Sequence, residues 1–97
     1  MGRSYTPKYR VEYRDNTMNR FAASKWLTYD AKRLGKPSDA SAEKLRQSLN
    51  KSFAPGGVNW NVSVAAGVVV HVQSVKIDRQ ADNEVVATAT APMFEVV

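Results

Sequence analysis

The residues able to do chemistry in this chain are few. In 97 residues there is one histidine, there is no cysteine, and there are nine carboxylates. The missing cysteines remove disulfides, thiolate nucleophiles, iron–sulfur clusters and cysteine-rich zinc sites together. His71 stands among valines, and a metal site needs several imidazoles or carboxylates converging on one point, so a core or edge histidine is expected. Serine–histidine–aspartate chemistry would have to use that same imidazole, and no serine sits in the glycine-flanked elbow that exposes a nucleophile. Two carboxylate pairs are close in sequence, Glu12 with Asp15 and Asp82 with Glu84. The first lies among arginines and the second in a turn, so both read as solvated charge. Gly35-Lys36-Pro37-Ser38 is a superficial match to the end of a phosphate loop, but Asp30 stands where the loop needs its first glycine. Pro37 also removes a backbone N–H that the loop would aim at phosphate. No catalytic residue, metal ligand or cofactor is expected, and the chain reads as a non-enzyme.

Charge is the stronger signal. Residues 1–51 hold twelve Lys and Arg against five Asp and Glu, +7, while residues 52–97 hold two against four, −2, giving the net +5. Such asymmetry points to a negatively charged partner, or to association between unlike ends. Lys8, Arg10, Arg14, Lys25, Lys32 and Arg33 are interleaved with Tyr9, Tyr13 and Trp26. Basic side chains neutralise phosphates and rings offer stacking platforms for bases, so these nine residues define a nucleic-acid-binding expectation. The plainer reading turns the tyrosines into a core and leaves the charges as a solvated face.

Those residues need elements to position them. Lys8 to Arg14 alternates, with Tyr9, Val11 and Tyr13 on one side and Lys8, Arg10, Glu12 and Arg14 on the other, the pattern of a half-buried strand. Residues 18–34 fit two templates: a strand over 21–29 beside the first, or a helix ending at Leu34-Gly35. The strand is preferred because the first strand needs a neighbour. A helix there would instead make a helix-turn-helix through Gly35-Lys36-Pro37, with Lys44, Gln47, Ser48 and Lys51 facing outward from the second helix. Ser38 and Asp39 start that second helix, Ala42, Leu45, Leu49 and Phe53 form its apolar stripe, and Pro55-Gly56-Gly57 stops it. Val58 to Gly67 reads as either a short strand or a helical turn. Val68 to Ile77 reads as one strand, with Val68, Val70 and Val72 on one side and Val69, His71, Gln73, Val75 and Ile77 on the other. Asp82-Asn83 turns the chain into a last strand, Val85 to Ala91.

Gly35-Lys36-Pro37-Ser38-Asp39-Ala40, Ser52-Phe53-Ala54-Pro55-Gly56-Gly57-Val58-Asn59, Glu84-Val85-Val86-Ala87 and Ala91-Pro92-Met93-Phe94-Glu95-Val96 together resemble a group of small proteins encoded by actinobacteriophages, mycobacteriophages among them. The resemblance spans roughly residues 8–97. Glycine is frequent in that group where this chain has Asn83, and asparagine tolerates the same left-handed turn. The resemblance implies a viral accessory protein made inside a bacterial host. It implies no activity, and no functional residue carries over.

The expectation is one α+β domain over residues 1–97, with residues 1–7 flexible. Two N-terminal strands and a C-terminal hairpin make a small antiparallel sheet, packed by one main helix at about residues 38–53. The longest apolar stretch, Val62 to Val72, is too short to span a bilayer, and no signal sequence opens the chain, so the cytoplasm of the host is the expected location. The expected function is non-catalytic binding of a host protein or of a second copy, through an apolar edge holding Val86, Thr88, Met93 and Phe94. Binding of DNA or RNA is the alternative.

Overall fold

The alternating stretch at the start of the chain forms β1 (Lys8–Asp15), and β1 organises the sheet. On one side it pairs antiparallel with β2 (Ala22–Ala23) and β3 (Leu27–Thr28). On the other it pairs antiparallel with β4 (Val72–Arg79), which pairs in turn with β5 (Val85–Thr90). The order is β2-β1-β4-β5, with β3 also on β1. This computed structural model describes residues 8–17, 20–23, 27–28 and 34–92. The expected flexible residues 1–7, the candidate contacts Lys25, Trp26, Lys32 and Arg33, and the candidate interface residues Met93 and Phe94 lie outside them. The pairing of 22–23 and 27–28 with β1 sets aside the helix-turn-helix, whose first helix would run through those four residues.

Among the described residues the main helix is joined by a second, shorter one. In α1 (Asp39–Ser52) Ser38 is the N-cap. Its hydroxyl accepts from the Ser41 N–H, and the Ser41 hydroxyl accepts from the Ser38 N–H, a reciprocal capping box. Ala42 and Phe53 are buried, Leu45 and Leu49 pack against the same core, and Lys44, Gln47, Ser48 and Lys51 are exposed. The core also takes a residue the stripe does not announce. Arg46 is 1% exposed, donates from Nη1 to the Val72 carbonyl at 3.0 Å, and holds Glu43 from Nε and Nη2 at 2.8 and 2.7 Å. A guanidinium can enter a core because its planar fork finds fixed acceptors. The ambiguous segment after the Pro-Gly-Gly stop is α2 (Trp60–Ala66), ended by Gly67 at φ +77°.

The core lies between one sheet face and α1: Val70, Val72, Val75 and Ile77 with Ala87 and Ala89, flanked by Tyr9, Val11 and Tyr13. This corrects the expected phase of the Val68–Ile77 strand, which put Val70 and Val72 opposite Val75 and Ile77. Arg14 pairs with Ser74 but Asp15 pairs with Val72, so Gln73 is an extra residue that turns the preceding valines onto the core face. A second shift, at Val86, interrupts the β4–β5 ladder. Asn83, at φ +58°, turns the chain between those strands. No helix among the described residues is long and apolar enough to cross a membrane.

Candidate nucleic-acid interface

A period of two sends Lys8, Arg10, Glu12 and Arg14 to the sheet face turned away from α1. The β1–β4 register sets Arg10 opposite Asp78, Glu12 opposite Lys76 and Arg14 opposite Ser74. One face of two neighbouring strands thus gathers four cations, Lys8, Arg10, Arg14 and Lys76, and two carboxyls, Glu12 and Asp78. Thr88 and Thr90 continue the same face on β5 with exposed hydroxyls.

Arg14 and Lys76 meet over one ring. Phe21, just before β2, lies with its centroid 4.7 Å from the Arg14 guanidinium carbon and 4.0 Å from the Lys76 ammonium. Each contact is worth about 0.5–1 kcal/mol at an exposed site. Among the described residues Lys8, Arg14 and Lys76 form no ion pair, although Lys76 stands opposite Glu12 and its charge acts on that carboxyl.

Arg10 differs. Its Nε and Nη2 both reach Asp78 Oδ2 at 3.4 Å, and Nη2 lies 3.8 Å from Glu12 Oε2. Asp78 is 2% exposed. The Glu12 carboxyl is held above its usual range by its hydrogen bond with Asp78, then by burial and by the Asp78 charge, while Arg10 and Lys76 pull the other way. The Asp78 Oδ1 is buried without a partner among the described donors.

The other expected residues fall as follows. Tyr9 and Tyr13 pack toward the core, and the Tyr13 ring lies 6.3 Å from Phe53, so neither shares a face with the cations. Burial, then the nearby Asp15 charge, raises the Tyr13 hydroxyl above its ordinary range. Phe21 is the aromatic on the cationic face, and it becomes visible only once β2 is in register with β1. Val86 is half-buried at its bulge and packs on the core. Thr88 is exposed, but its N–H donates to Asp39 Oδ1 at 3.0 Å, so the start of α1 occupies the β5 edge there. The carboxylate pairs separate. Asp15 is buried, its Oδ1 accepting from the Thr17 N–H and hydroxyl at 2.7 Å, so the solvated reading fails for Glu12 and Asp15. Asp82 and Glu84 are exposed, with Asp82 held below its usual range by the Arg79 hydrogen bond. His71 is buried, as a core histidine would be, and its backbone is tied to Asn16 through N–H to Oδ1 at 3.0 Å and carbonyl to Asn16 N–H at 3.1 Å.

The chain matches no protein-family model, no curated protein and no solved structure.

Proposed function

We propose that this chain is a non-catalytic nucleic-acid-binding protein that lays a single strand of DNA or RNA across the sheet face away from α1. The observation that carries this reading is the convergence of Arg14 and Lys76 on Phe21, two cations on one aromatic ring that form no ion pair among the described residues. Lys8 and Arg10 extend the positive strip along β1, and the Thr88 and Thr90 hydroxyls extend a polar surface across it. A flat, basic surface with an aromatic suits an extended strand, whose phosphates take the cations and whose bases take the ring. In keeping with the resemblance to actinobacteriophage accessory proteins, the site of action is the cytoplasm of a bacterial host.

The test is a titration with a single-stranded oligonucleotide at several salt concentrations. Three or four phosphate contacts give a slope of log K against log salt of about −2 to −3. Arg14→Ala and Lys76→Ala should each weaken binding and flatten that slope by about 0.7. Affinity indifferent to salt rejects the reading.

Binding of a protein partner is the other class, and a separate surface favours it. Of the six large apolar side chains exposed among the described residues, five lie on α2 and its flanking turns and the sixth, Val85, lies on β5.

A further inference from the structure

The positive strip on the sheet is interrupted. Along the face of β1 turned away from α1 the order is Lys8, Arg10, Glu12, Arg14, so a carboxyl stands where the next cation belongs. A strip that served phosphates alone gains nothing from that carboxyl, because it repels a polyanion. Glu12 is also poorly supplied with donors. Arg10 Nη2 approaches its Oε2 only to 3.8 Å, beyond hydrogen-bond length. Lys76, opposite Glu12 on β4, has its ammonium 4.0 Å from the centre of the Phe21 ring, and Ala23, opposite it on β2, has no side-chain donor. Asp78, 2% exposed, takes both Arg10 contacts on Oδ2 and has no described donor on Oδ1. The hydrogen bond between the two carboxyls fills one of their oxygens. The pair therefore holds more acceptors than the described side chains fill, and buried acceptors are normally filled. Burial closes Asp78 to a ligand. Glu12 is open to one, its side chain 18% exposed.

We infer that Glu12 reads a guanine in the bound strand, accepting from its N1–H and its 2-amino group beside the Phe21 ring. The inference rests on the reading of this face as a single-strand site. Chemistry selects the base. An ionised carboxyl only accepts, and guanine alone among the bases sets two adjacent donors on its Watson–Crick edge, an edge that a single strand leaves unpaired. Adenine and cytosine offer an amino group beside a ring nitrogen that accepts, and thymine or uracil an N–H between two carbonyls. Each of these sets a lone pair against the second carboxyl oxygen. Position agrees with the chemistry. Arg10 and Arg14 lie two residues to either side of Glu12 on the same face, each about 7 Å away along the strand, so phosphates can be held on both sides of the base that Glu12 reads. A divalent cation is the other partner that suits under-supplied carboxyls. Arg10 and Lys76 repel it, and among the described residues no third carboxylate or imidazole completes a site for it.

The experiment is fluorescence anisotropy with labelled dT octamers carrying one central dG, dA, dC or deoxyinosine, on the wild type, Glu12→Gln and Glu84→Gln. The wild type should bind the dG octamer about tenfold more tightly than plain dT, the scale of one bidentate base contact. Deoxyinosine keeps N1–H and lacks the 2-amino group, so it should lose most of that gain. Glu12→Gln should bind the dG and dT octamers equally. It should also bind plain dT at least as tightly as the wild type does, because a repelling charge has gone. A merely structural Glu12 would instead weaken every octamer alike. Glu84→Gln removes an exposed carboxylate just before β5 and should keep the preference for dG. Salt-dependent binding without that preference overturns the inference and leaves the single-strand reading standing, whereas no binding to any octamer overturns both. A preference that survives Glu12→Gln, or a loss by Glu12→Gln that is equal on every octamer, overturns the inference as well.

Discussion

Glu12 and Asp78 carry like charge on neighbouring strands, and the arrangement is tolerable only if a proton stays between them or Arg10 balances both. The sign of the consequence follows from linkage. A carboxyl whose folded pKa is raised holds more proton folded than unfolded, from its ordinary value of 4.5 up through the raised one. Its contribution is therefore complete below that window and falls as pH rises through it. Glu12→Gln keeps a donor toward Asp78 and removes the titration. Denaturant midpoints at stepped pH should show the wild type losing stability relative to Glu12→Gln as pH climbs above the glutamate range. Oligonucleotide affinity of the wild type should rise on acidification across the same window, and that of Glu12→Gln should rise less. A wild type that gains stability over Glu12→Gln with rising pH would mean that Arg10 balances two ionised carboxylates. The pair joins residues 66 apart in the chain, so no spacing rule could have found it, whereas Glu12 and Asp15, three apart in sequence, point to different surroundings.

Elements were legible in the sequence where one local rule decided them. Ser38 caps α1, the stripe of Ala42, Leu45, Leu49 and Phe53 turns inward, and β1 alternates as its residue types require. Elements were illegible where a distant partner decided them. Gln73 becomes a bulge only because β1 ends its ladder at Asp15 opposite Val72, and the one extra residue puts Val72 on the core side with Val75 and Ile77. Arg46 enters the core because the Val72 carbonyl awaits it from another element. α2 depends on Ser63, a residue with neither helical preference nor apolar character, which joins the end of α1 to the start of β4 through Phe53 and Val70. Ser63→Ala leaves the Val70 N–H buried without an acceptor, and should cost about 1–3 kcal/mol in urea unfolding. Faster amide exchange at Val70 and through α2 should accompany that loss. An unchanged unfolding midpoint would show that α2 is held by other contacts.

Over the whole molecule, charge and apolar surface are segregated. The strip on β1 and β4 is cationic, the stretch through α2 is neutral and valine-rich, and the two belong to different elements. Whether a nucleic-acid strand answers to the strip or to the net charge is decided by two substitutions of equal charge. Arg14→Ala and Val64→Asp each lower the net charge by one unit, the first on the strip and the second on α2. Salt at about 0.15 M screens exposed charges more than about 8 Å apart. At that salt Val64→Asp should bind a single-stranded oligonucleotide as the wild type does, because a charge on α2 is screened from phosphates held by β1 and β4. Arg14→Ala should weaken binding and flatten the salt dependence. Lowering the salt should draw the two variants together, since the screening that hides the α2 charge is then lost. Equal loss by both at the higher salt would show that binding follows net charge and not the strip, and would break the division of labour between the sheet and α2.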